Sequence, residues 1–176
     1  GDIDVLSASD NHDRIAWYEN DGSQSFTLHN IDTNADGAYD VYAIDLDNDG
    51  DIDVLSASDN HDRIAWYEND GSQTFTAHNI DTNADGAKSV YAIDLDKDGD
   101  MDVLSASDND DKIAWYENDG IQSFTTHNIN TNANEAYDVY AIDLDNDGDN
   151  DVLSASYKDN KIAWYENDGS QSFTTH

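Results

Sequence analysis

The residues in this chain with the clearest capacity for chemistry are aspartates at alternate positions. Asp45, Asp47, Asp49 and Asp53 occupy positions one, three, five and nine of a short loop, with Gly50 at position six and Asp51 at position seven. Carboxylates at this spacing, a glycine for the sharp turn and a backbone carbonyl offered by Asp51 form an all-oxygen donor set. That is what a hard cation such as Ca²⁺ requires, since it takes six to eight oxygens. Four carboxylates this close repel one another strongly unless a cation sits between them. The pattern recurs as Asp94, Asp96, Asp98, Asp100 and Asp102, and again as Asp143, Asp145, Asp147, Asp149 and Asp151. The expected cofactor is therefore calcium, against the plainer alternative of a metal-free acidic turn.

A second set echoes the first. Asp32, Asn34, Asp36 and Asp40 also place side-chain oxygens at positions one, three, five and nine. In the following copy the ninth position is Ser89. In the third, Asn130, Asn132 and Asn134 stand at the early positions and Glu135 replaces the glycine. Such erosion favours a turn held by Asx side chains over a second, weaker cation site.

These loops lie in a repeat of 49 residues. Gly1, Gly50, Gly99 and Gly148 each open the same phrase, giving three full periods and a partial fourth. Residues 1–49 and 50–98 differ at five places: Ser25/Thr74, Leu28/Ala77, Tyr39/Lys88, Asp40/Ser89 and Asn48/Lys97. Each unit holds four short runs of strand composition, exemplified by residues 41–46, 52–58, 63–68 and 74–80, separated by Gly, Asn and Asp clusters. No run carries a helical period. Four strands per unit of this length, joined by tight hairpins, predict an all-β fold, a β-propeller of four-stranded antiparallel blades. A parallel β-helix would need a shorter rung, and a sandwich would not repeat its sequence. The expected division is an incomplete three-stranded blade at 1–38, then blades at 39–87, 88–136 and 137–176. The first cation loop lacks its opening five positions, leaving Gly1, Asp2 and Asp4. The reading is that the ring is partial and open, continued by more chain or completed by a neighbour.

One Trp per unit (Trp17, Trp66, Trp115, Trp164) is read as core between blades, with a sugar-stacking platform as the sharper alternative. His29, His78, His127 and His176 recur on the fourth strand. They are read as surface or structural residues, because no second His or fixed carboxylate pairs with them as a metal site would require.

Composition narrows the function classes. Forty acidic residues, thirty-five of them Asp, against seven Lys and Arg give a formal charge of −33. Binding to nucleic acid or insertion into an anionic membrane is not expected from a field of this sign. The absence of Cys excludes disulfides and thiolate chemistry.

The acidic loop, followed by Val-Leu-Ser-Ala-Ser and Ile-Ala-Trp-Tyr-Glu-Asn-Asp-Gly, resembles the FG-GAP-like or VCBS repeat family along the whole chain. That family is similar in fold to the integrin α-subunit head, a seven-bladed propeller with calcium in its hairpin loops. The resemblance implies a secreted or cell-surface protein used in adhesion or recognition. The expectation is an extracellular, calcium-stabilised, non-catalytic module recognising a glycan or a cell-surface protein. The alternatives are a structural subunit that self-associates through open blade edges and an accessory module of a polysaccharide-degrading enzyme. Catalysis is disfavoured because nearly every residue recurs in each unit, whereas an active site needs an asymmetric constellation.

Overall fold

The computed structural model describes residues 2–176, and each repeat in it folds as one antiparallel meander. The first sheet contains β1 (Val5–Ser9), β2 (Arg14–Asn20) and β3 (Phe26–Asp32). The second contains β4 (Ala38–Ile44), β5 (Asp53–Ser58), β6 (Arg63–Asn69) and β7 (Phe75–Asp81). The third contains β8 (Ala87–Ile93), β9 (Asp102–Ser107), β10 (Lys112–Asn118) and β11 (Phe124–Asn130). The fourth contains β12 (Ala136–Ile142), β13 (Asp151–Ser156), β14 (Lys161–Asn167) and β15 (Phe173–Thr175). Strands pair in chain order within every sheet, so the fold is all-β, with a single 3₁₀ turn among the described residues, at Asp10–His12. The sheets are the blades of an open propeller.

The inner strand of each complete blade begins earlier than its composition suggests. β4 starts at Ala38, ahead of Val41, because a bulge at Tyr39 shifts the register between Ala38↔Ser58 and Asp40↔Ala57. The extra residue hides the alternation from which a strand is read. The same bulge recurs in β8 and β12.

Both faces of an interior blade are buried, as stacked blades require. On one face of the second blade Leu55, Ala57, Ile64 and Trp66 pack against Val90, Ala92, Val103, Ala114 and Tyr116 of the third. The third repeats this against the fourth through Leu104, Ala106, Ile113 and Trp115. The Trp residues of the two interior blades are thus core, with Trp66 4% and Trp115 3% exposed, whereas Trp17 and Trp164 in the flanking blades are half-buried. The outward face of the last blade has no such cover among the described residues: Ile162 is 76% exposed, whereas its equivalents Ile64 and Ile113 are fully buried.

The inner strands line the arc. Tyr42, Tyr91 and Tyr140 form a ladder with ring centroids 5.0 and 4.7 Å apart. At one end of the lining the blades converge, and Tyr39 and Tyr137 meet edge to face at 6.3 Å although they belong to the second and fourth blades. This convergence accounts for two departures from the repeat. Lys88 takes the place of a third Tyr, lies over the Tyr39 ring at 4.5 Å and pairs with Asp59 and Asp108. Ser89 takes the place of a third Asp, its Oγ 3.2 Å from both Asp40 Oδ2 and Asp138 Oδ1. A carboxylate at position 89 would bring three like charges together.

Candidate metal centre

The acidic loop joins β4 to β5, and strand pairing forces its ends together. Ile44 pairs with Asp53 at the mouth of the hairpin, so the first and ninth loop positions meet although seven residues lie between them. Carboxylate oxygens of Asp45, Asp47 and Asp53 consequently lie within 4.8 Å of one another. The same convergence holds for Asp94, Asp96 and Asp102, and for Asp143, Asp145 and Asp151. These nine residues form three triads that could bind a metal ion.

Backbone N–H groups hold the loop in shape. Asp45 Oδ2 accepts from Gly50 N at 3.1 Å, Asp47 Oδ1 from Asp49 N at 3.2 Å, and Asp49 Oδ1 from Asp51 N at 2.9 Å. Asp53 is fully buried, and its two oxygens accept from Leu46 N at 3.1 Å and Asn69 N at 2.8 Å. Each carboxylate oxygen keeps a further lone pair after one such bond. Asn48, Lys97 and Asn146 take left-handed backbone at position four, and Gly50, Gly99 and Gly148 do so at position six.

The donor chemistry fits a hard divalent cation. Asp45 Oδ1, Asp94 Oδ1 and Asp143 Oδ1 are each buried with no hydrogen-bond partner. A buried carboxylate oxygen without a donor is costly unless a cation satisfies it. Burial pushes the Asp102 carboxyl up to about 6, with the charge of Asp96 adding to the rise and two backbone donors opposing it. Burial likewise raises Asp53, Asp47 and Asp96, with neighbouring aspartates contributing to each. The protein alone therefore resists full ionisation of these groups, which a bound cation would reverse.

The remaining residues of the motif do other work. Asp49, Asp98 and Asp147 stand outside the triads and cap the turn. Asp51 lies against the next hairpin, where a Cβ on Gly71 would come within 2.5 Å of its Oδ2. Asp100 and Asp149 occupy the same place over Gly120 and Gly169. Sequence reading gave no role to Asn69, Asn118 and Asn167. Their backbone N–H groups donate to the ninth-position aspartates, and their Oδ1 atoms accept from the following Gly N, bracing loop and hairpin together. The signal was present in the recurrent Asn after Trp-Tyr-Glu, but the contact spans sixteen residues.

The weaker set is not brought together. Asp32 Oδ1 accepts from Asn34 N at 2.8 Å in an Asx turn, while its Oδ2 accepts from the Tyr67 hydroxyl at 3.0 Å and pairs with Arg63 at 3.2 Å. Asp36 accepts from the Asn60 amide at 3.0 Å, and Asp40 from Val41 N and Val90 N. These are ties within and between blades. They also account for Asn130, whose amide donates to the Tyr165 hydroxyl at 2.8 Å, in the place where Asp81 accepts from that of Tyr116.

The histidines do have carboxylate partners. His78 stacks on Trp66 with centroids 4.7 Å apart, and its Nε2 lies 2.8 Å from Glu68 Oε2. His29, His127 and His176 repeat this with Glu19, Glu117 and Glu166 at 3.0, 2.7 and 2.6 Å. The Glu sits on the neighbouring strand, diagonally across from the His, a proximity that linear spacing does not reveal.

An open propeller with an acidic, cation-competent hairpin in each complete blade defines the class. The FG-GAP-like repeat model matches residues 1–56, 45–105, 94–154 and 143–176, covering the whole chain. The chain belongs to the FG-GAP-like repeat family. No curated protein matches it.

Proposed function

We propose that this chain is a calcium-stabilised, non-catalytic recognition module that works outside the cell. The observation that carries the calcium reading is the buried, unpartnered oxygen at the first loop position, present in all three triads. Asp45, Asp47 and Asp53 would hold the ion in the first loop, with the equivalent residues in the other two. Extracellular calcium at millimolar concentration keeps even weak loops of this type filled. No helix among the described residues is long and apolar enough to cross a membrane. The nearly identical blades favour repeated, weak binding over catalysis, since linked sites gain strength through avidity.

Calorimetric titration with CaCl₂, alongside thermal unfolding in calcium, magnesium and chelator, tests the reading. Calcium uptake by three sites and a melting temperature that drops in chelator support it. Full thermal stability in chelator would sink it.

A structural reading, in which copies associate, draws support from the uncovered face of the last blade. Ile142, Leu144 and Ile162 lie exposed there, at positions that interior blades bury or partly bury. Its test is the light-scattering mass in calcium, where growth with concentration favours assembly and a constant monomer mass rejects it.

A further inference from the structure

Neighbouring blades enclose a cleft that the cation loops do not explain. Between the second and third blades its volume is about 550 Å³, and Trp66, Glu68 and His78 face Gln122 and Phe124 across it. Between the third and fourth blades a cleft of about 510 Å³ repeats the arrangement, with Trp115, Glu117 and His127 facing Gln171 and Phe173. From this recurrence we infer that the inter-blade clefts bind neutral saccharide units, an inference that rests on the recognition reading and assigns it a site.

The lining carries the chemistry. Each imidazole has one face on its Trp, while about 40% of the His and Glu side-chain surface remains open. A sugar ring needs an aromatic surface for its C–H face and polar groups of both kinds for its hydroxyls. The imidazole and Phe rings supply the first. The Glu carboxylate accepts and the Gln amide both donates and accepts. Gln122 and Gln171 are held at φ 58° and 57°, left-handed backbone that is unfavourable for glutamine and recurs at the same hairpin tip. Their backbone N–H groups are fixed on Asn118 and Asn167 Oδ1, so each tip is anchored by the residue that braces the cation loop.

Charge selects among ligands. Neither cleft is lined by Lys or Arg, each contains a carboxylate, and the chain carries −33, so acidic saccharides are repelled. A basic peptide is the weaker match, because each carboxylate is already engaged by an imidazole. Successive clefts one blade apart suit a polymer with a repeating unit. Rim residues differ, Ile121 in one cleft and Ser170 in the other, so the two need not have equal affinity.

Calorimetry on the calcium-loaded chain would use four neutral tetrasaccharides, of glucose, mannose, galactose and N-acetylglucosamine, with polygalacturonate as the acidic control. At least one neutral tetrasaccharide should bind with a Kd at or below about 10 mM. The double variant Gln122→Gly/Gln171→Gly suits the left-handed backbone and should keep the fold, while weakening binding at least about tenfold. Adding Glu68→Ala and Glu117→Ala should abolish it. Saccharide binding that is unchanged in a folded double variant with unaltered calcium affinity overturns the cleft assignment but leaves the recognition reading standing. No binding by any neutral tetrasaccharide, or a preference for polygalacturonate, also overturns the proposal. Loss of calcium binding by the unmutated chain would strike the underlying reading.

Discussion

At the scale of single residues, a buried carboxylate oxygen needs either a hydrogen-bond donor or a cation. Asp94 offers one oxygen to Gly99 N and leaves the other buried without a donor. Asp94→Asn should lower calcium affinity at that loop by at least about tenfold, with the other two loops unaffected, read from the calorimetric stoichiometry. The pH dependence should differ in sign between metal-free and calcium-loaded protein. Asp102 rises from 3.8 to about 6 on folding, which corresponds to roughly 3 kcal/mol. The stabilisation of its protonated form is fully present below about pH 4 and is lost as pH rises through about 6. Asp53, Asp47 and Asp96 shift in the same direction. Metal-stripped protein should therefore melt lower as pH rises across that window. Calcium-loaded protein should melt higher, because ligation needs the ionised carboxylates.

At the scale of elements, hairpins are locked to loops by close approach. Gly71 has φ 73°, and a Cβ there would fall 2.5 Å from Asp51 Oδ2. Gly50 has φ 100° but open space around it. Both Gly→Ala changes incur the backbone penalty, while only Gly71→Ala also pushes the Asp51 carboxylate aside. Denaturant unfolding should show a loss of about 1 kcal/mol for Gly50→Ala and about 1–3 kcal/mol for Gly71→Ala. The strands themselves were largely legible from composition and turn residues. Their inner starts were not, because the bulge at Tyr39 breaks the alternation.

At the scale of the whole molecule, repetition has to be broken where blades converge. Lys88 and Ser89 sit between equivalent residues of two other blades and relieve crowding that any single blade would tolerate. Restoring the consensus with Lys88→Tyr/Ser89→Asp should cost about 2 kcal/mol or more at neutral pH, read from chemical unfolding. Part of that cost should vanish on acidification, since burial already pushes the Asp40 carboxyl up and Asp138 adds to it. The sequence shows these positions only as departures from a repeat. Their reason is the distance across the axis.

The repeat, the all-β class, the blade count and the acidic loops follow from sequence, because a hairpin is a local object and its turn residues are written next to it. Those local rules also place Asp45, Asp47 and Asp53 in one motif. Only the tertiary structure separates the three carboxylates that converge from Asp49 and Asp51, which face the turn and the next hairpin. It alone turns Asp32, Asp36 and Asp40 into ties to other side chains, sets Glu68 beside His78, and encloses a cleft with Gln122 of the following blade. These relations cross strands or blades, and spacing along one chain does not encode which distant surface will be pressed against it.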